Sequence, residues 1–190
     1  MSGIYLLGLM ATWLFVGWML YKFWRATKSP IKDLSKTTYY IFGMVLFVIW
    51  FGSGFWPFAG KKMYYDAQIR EMCVEDGGIK VYETVLLPVN MFNRWDQPEF
   101  YDPTLGEDAL GSDYIFKVEI DYYKKQDPIV SRRSYRVIRK LDSKLIGESV
   151  VYGRGGGDLP GPWHGSNYHC PDEGGDIPLL VKIFKPSKRD

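Results

Sequence analysis

The sequence predicts a membrane-anchored fold: a two-helix transmembrane hairpin followed by a mainly antiparallel β domain, a small sandwich or open barrel. Three observations carry that expectation. Two uncharged apolar runs, Ile4–Tyr21 and Thr37–Gly60, of 18 and 24 residues, lie in the first third of the chain. Charge is segregated. Residues 1–60 hold five basic side chains (Lys22, Arg25, Lys28, Lys32, Lys36) and one acidic (Asp33), a net of +4, which leaves −2 for residues 61–190 against +2 for the whole chain. Beyond residue 76 the apolar residues alternate with polar ones, the period of half-buried strands. The mean hydropathy of −0.18 therefore averages two unlike halves. Such a chain is neither wholly soluble, nor intrinsically disordered, nor a nucleic-acid binder driven by bulk charge.

At the helical rise the first run spans roughly 27 Å, close to a hydrocarbon core of about 30 Å, and the second is longer. A backbone in lipid must satisfy its own hydrogen bonds, so both runs are expected as helices, spans of about 4–24 and 38–58 inside an anchor of residues 1–60. Trp24, Tyr39, Tyr40, Phe55, Trp56 and Phe58 flank the runs, where amphipathic rings prefer the headgroup zone. Gly52, Gly54 and Pro57 predict fraying or a kink at the end of the second helix. The first run has no basic residue before it, and MLYKFWRA after it offers no small-x-small cleavage site. A retained anchor is therefore expected rather than a signal peptide.

The link 22–38 carries five Lys or Arg and places itself in the cytoplasm by the positive-inside rule, against the opposing pair Lys61/Lys62. In a bacterium this expects a multi-pass inner-membrane protein with a periplasmic C-terminal domain. Cys73 and Cys170 are the only cysteines, and an oxidising compartment would join them as one disulfide.

Residues 61–75, including KKMYYDAQIREM, read as a juxtamembrane helix or linker, and residues 76–190 as the β-rich domain. Asp76-Gly77-Gly78 is a turn signal, and IKVYETVLL after it reads as a strand. In DYIFKVEIDYY (113–123) Tyr114, Phe116, Val118, Ile120 and Tyr122 share one face, and Lys117, Glu119 and Asp121 the other. That pattern is an antiparallel strand with one wet side. SYRVIRKL and KLIGESVVYG extend it to a three-stranded meander, and PLLVKIFK is expected as a further strand. Residues 88–112 and 153–178 lack periodicity and are rich in turn formers, which marks them as long, functional loops.

Gly153-Arg154-Gly155-Gly156-Gly157-Asp158 lacks the GK[ST] of a phosphate loop and runs into Pro160 and Pro162 rather than a helix, so it reads as a turn. His164, His169, Cys170, Asp172 and Glu173 form the sole cluster of potential metal ligands, with His164, His169 and Asp172 the candidates if Cys170 is bonded. A structural zinc site wants four well-spaced ligands, so surface histidines beside a disulfide cysteine are the better reading, and no cofactor is expected. The basic run Arg132, Arg133, Arg136, Arg139 and Lys140 divides between two strand faces. Glu119, Asp121 and Glu148 are placed to pair with it, and anionic lipid headgroups are a second contact for it. No Gly-x-Ser-x-Gly or His-Glu-x-x-His occurs. Trp95, Phe100, Tyr101 and Trp163 lie in the two long loops and are the candidate partner-binding residues, since exposed aromatics concentrate binding energy.

In DGGIKVYETVLLP (76–88), YIFK-x-x-IDYY (114–123) and YGRGGGDLPGPWHGSNYHCP (152–171) the chain resembles uncharacterised membrane proteins of proteobacteria. The resemblance implies a bacterial origin and carries over no activity and no site residue.

The function expected from the residues is a non-catalytic, membrane-anchored binding or interaction module of the bacterial envelope. Its partners are the bilayer and either another envelope protein or a second copy of itself, with no nucleic acid. The alternatives are a metal-dependent or hydrolytic enzyme using the 164–173 loop, and a ligand-sensing effector with the β domain in the cytoplasm.

Overall fold

The computed structural model describes residues 2–27, 36–158 and 164–187. By contact density the chain divides into two units, Met1–Tyr64 with Gly157–Ser166, and Tyr65–Gly156 with Asn167–Asp190.

The first unit is built on helices α1 (Ser2–Thr27) and α2 (Lys36–Phe55). Both apolar runs are helical, long enough to cross a membrane, and unburied along their apolar windows. Tryptophans on one helix fill notches left by glycines on the other. Trp13 and Trp50 stack with centroids 4.2 Å apart, and the Trp50 indole N–H donates to the Trp13 carbonyl at 3.1 Å. The Trp13 N–H donates to the Trp50 carbonyl at 3.4 Å, and that of Trp24 to the Tyr39 carbonyl at 3.1 Å. A Cβ on Gly17 would lie 2.5 Å from the Trp50 ring, and one on Gly54 2.5 Å from Trp13; Gly43 makes the same room for Trp24. No side chain larger than hydrogen fits these three contacts. After α2 the helix neither frays nor breaks: Trp56–Gly60 widens into a π turn with Pro57 in its first residues. Proline has no N–H to give the i−4 carbonyl, and a local π or 3-10 adjustment absorbs the gap. Helix α3 (Lys61–Asp76) follows.

The second unit holds a five-stranded antiparallel sheet formed by β1 (Gly78–Val81), β3 (Tyr114–Lys124), β4 (Ile129–Arg139), β5 (Lys144–Gly155) and β6 (Asn167–Cys170). The order is β1-β5-β4-β3, and β6 pairs with β5 beyond β1. The sheet does not close into a barrel. Its companion is only a parallel pair, β2 (Val85–Leu87) with β7 (Phe184–Pro186), so the expected sandwich or barrel is an open sheet covered by helices.

The predicted strand IKVYETVLL splits in two. The N–H groups of Tyr82 and Glu83 both donate to the carbonyl of Ile146, which ends the β1 ladder and frees residues 85–87 to pair elsewhere. The predicted strand PLLVKIFK is mostly helix α4 (Asp176–Ile183). Leu179, Leu180 and Ile183 fall on one helical face and are fully buried. A short apolar run does not by itself distinguish helix from strand, and here the sheet face that it covers decides. Short strand β6 lies inside the segment expected to be irregular.

Each sheet face has its own core. On one, α4 and the chain before β3 cover Phe116, Val137 and Ile146, with Ala109, Leu110 and Phe184. A bulge at Val137/Ile138 turns both Ile146 and Gly147 toward this side, and Gly147 leaves room for Ile183. On the other face Ile69 and Cys73 of α3 pack on Val130, Val150 and Tyr152. Polar bonds fix the same helix along its length. The Tyr152 hydroxyl donates to Asp76 at 2.6 Å, Arg132 donates to Asp76 at 2.9 Å, and the buried Arg154 donates from Nε to Asp66 at 2.6 Å. Burial raises the Asp76 pKa, but the bonds from Tyr152 and Arg132 outweigh it and hold the carboxyl below its ordinary value. Burial and the bond to Asp76 push the Tyr152 hydroxyl well up. Cys73 and Cys170 lie at disulfide distance, Cα atoms 6.0 Å apart, joining α3 to β6.

Candidate functional site

The four loop aromatics have different fates. Phe100 does not face outward: it meets Phe184 edge-on at 5.4 Å and packs against the α4 core. Tyr101 turns inward too, edge-on to Phe116 at 5.4 Å, and its hydroxyl donates to Asp176 at 2.8 Å. Burial and that carboxylate push its pKa well up, so it stays a neutral donor. Trp163 lies outside the described residues.

Trp95 is the exposed one, with 62% of its surface accessible. The turn that carries it is tightly built. Asn93 accepts at its side-chain oxygen from the backbone N–H of Trp95 at 2.9 Å and of Gln97 at 3.1 Å, and its side-chain amide donates to Gln97 Oε1 at 3.2 Å. Backbone bonds from Asn93 to Gln97 and from Glu99 to Met91 close the stem, with a bridge between Phe92 and Pro98. Asp96 takes the left-handed conformation at φ 56°, which Asp tolerates better than most residues. The Arg94 guanidinium sits 3.9 Å from the Trp95 ring centroid, a cation–π contact. Phe92, at the base, packs on the core. An Asx-type turn thus holds a large amphipathic ring outward at little remaining entropy cost. Sequence reasoning selected Trp95 but not Asn93, although Asn two residues before an aromatic is the signal of such a turn.

A concavity of about 550 Å³ lies on the sheet face beside α4, lined by Tyr122, Arg133, Tyr135, His169, Asp172 and Asp176 among others. It exists because Gly153 and Gly155 put no side chain there, and His169 lies over Gly153. Register across the sheet runs Tyr122, Ser131, Gly153, His169. Ser131 and His169 are thus two strands apart, with the His169 ring over the intervening Gly153. Arg133 is exposed and has no carboxylate partner among the described residues, unlike Arg132, Arg136 and Arg139.

Of the metal candidates, His164 belongs to the first unit, and His169 and Asp172 to the second. Among the described residues no group of three or more His, Cys, Asp or Glu side chains is arranged to hold a metal ion. Cys170, paired with Cys73, is not a ligand. The glycine run 153–158 ends on Asp158, whose carboxylate accepts from Lys62 at 2.8 Å and from the Ser166 hydroxyl at 3.1 Å and backbone N–H. An acidic group at that place is the opposite of a phosphate cradle.

The chain matches no family model, no curated protein and no solved structure. Its chemistry is therefore read from its own residues.

Proposed function

We propose that this protein is a membrane-anchored, non-catalytic interaction module of the bacterial envelope, which engages another envelope protein through Trp95. The preorganised Trp95 turn is the observation that carries the reading. An aromatic ring held out by a hydrogen-bonded stem loses little entropy on docking, and Trp and Arg are the residue types in which interface energy concentrates. The two apolar helices supply the anchor. Five basic residues in the link 22–38 favour a cytoplasmic link and a β domain on the far side, in the periplasm if the membrane is a bacterial inner one. The cysteine pair at disulfide distance favours the same oxidising side.

The test places a photo-crosslinking amino acid at Trp95 of the full chain in living cells. One discrete adduct with an envelope protein is expected, weakened when Asn93→Ala loosens the turn. A control at Leu141, 92% exposed, should give none. Equal adducts at Trp95 and Leu141, or none at either, would sink the proposal. A reporter fused after Asp190 that is active only in the cell interior would sink the orientation.

A further inference from the structure

Strand β3 ends the sheet order; among the described residues no strand pairs with its outer edge, and residues 103–108 pack against β3. It is 11 residues long, about twice the usual strand, and such an edge is a template for another strand unless something blunts it. Val118, Ile120 and Tyr122, on one face, are 46%, 43% and 49% exposed. We infer that the outer edge of β3 pairs antiparallel with β3 of a second copy of this chain, with Val118 on the two-fold axis. The inference goes beyond the reading of Trp95 and does not depend on it.

Two independent observations give that register. The first is charge. With Val118 opposite Val118, Lys117 faces the second copy's Glu119 and Glu119 faces its Lys117, and no like charges meet. Shifting the axis to Lys117, Glu119 or Asp121 sets that residue against its own copy, and shifting it to Ile120 sets Glu119 against Asp121. Like charges directly opposite are destabilising, and opposite charges favourable. The second observation is geometric. A bulge between Tyr122 and Lys124 ends the regular ladder of β3, which runs Tyr114–Tyr122 and has Val118 at its centre. On the apolar face the same axis sets the half-exposed Val118 against its own copy, while Phe116, opposite the second copy's Ile120, stays buried under its own chain. A two-fold pairing of this kind closes on itself as a dimer and leaves no free β3 edge for a third copy.

The full chain in detergent micelles tests this. It is expected to sediment as a dimer. Lys117→Glu and Glu119→Lys, each alone, set like charges opposite and should give monomers. Mixed together, they face opposite charges at both positions and should restore a dimer. Under mild oxidant Val118→Cys should link two chains, because directly opposed Cβ atoms lie about 5 Å apart. Ile120→Cys should not link, because its two copies lie four residues apart along the strands, about 14 Å. A monomeric parent chain, a mixture that stays monomeric, or equal linkage at positions 118 and 120 would overturn the inference.

Discussion

Removing the Cys73–Cys170 bond, by Cys73→Ala with Cys170→Ala, should cost the sheet unit about 4–5 kcal/mol. The two residues are 97 apart in sequence. The chain-entropy account of a cross-link closing a loop of about 100 residues gives roughly 4.7 kcal/mol at 25 °C. The denaturant slope for a domain of this size is about 1–3 kcal/mol per molar urea, so the midpoint should fall by roughly 1.5–5 M. The assay is urea unfolding of the full chain in micelles, followed by near-ultraviolet circular dichroism and compared with parent protein under dithiothreitol. The double variant and the reduced parent should coincide, since both lack the same constraint. A double variant within about 1 kcal/mol of the oxidised parent would refute the reasoning. It would mean that the packing of Ile69 on Val130, Val150 and Tyr152, with the bonds at Asp66 and Asp76, holds α3 without the covalent tie.

Further perturbations test the charged contacts at Asp66 and Asp158. Asp66→Ala removes the carboxylate that accepts from Nε of Arg154, whose side chain is 3% exposed, and should lower the midpoint of urea unfolding. Arg154→Met should cost less, because Asp66 is part-exposed and water takes over its solvation; the reverse order would count against a buried-charge origin. At Asp158 burial raises the pKa, but bonds from Lys62 and Ser166 prevail and bring it from 3.8 down to about 2. A lowered carboxylate pKa stabilises the fold fully above the unfolded value and ceases to do so as pH falls through the folded one, so this contribution should fade from near pH 4 to pH 2. The Ser166 amide resonance reads it directly. Its shift should titrate with a midpoint near 2 and become pH-independent over that range in Asp158→Asn; a midpoint near 4 would show that the bonds do not form.

The helices and the central meander were legible because their signals are long and periodic. Two apolar runs leave few alternatives to helix, and the alternation from Tyr114 to Tyr122 sets the faces of β3 as they stand in the sheet. Where the reading failed, tertiary context outweighed local pattern. Leu179, Leu180 and Ile183 suit either a strand or a helix, and the sheet face they cover decides. Phe100 and Tyr101 lie in a polar, Pro-rich segment that resembles a binding loop, yet the open sheet needs them as a lid. The bulge that turns both Ile146 and Gly147 to one face leaves no mark in composition. The Trp95 turn was half legible: the ring is conspicuous in the sequence, whereas the role of Asn93 depends on hydrogen bonds to residues two and four positions later.

The glycine notches under Trp13, Trp24 and Trp50 constrain how α1 and α2 can slide. Moving either helix by one residue rotates its notches by about 100° and advances them by about 1.5 Å. All three indoles would lose their seats together, and their N–H groups would be stranded without a carbonyl. Alignment of the pair is thus keyed at three separated points, as a lock with three pins is. Every side chain on the outer surfaces of the two helices stays free to vary with whatever surrounds them.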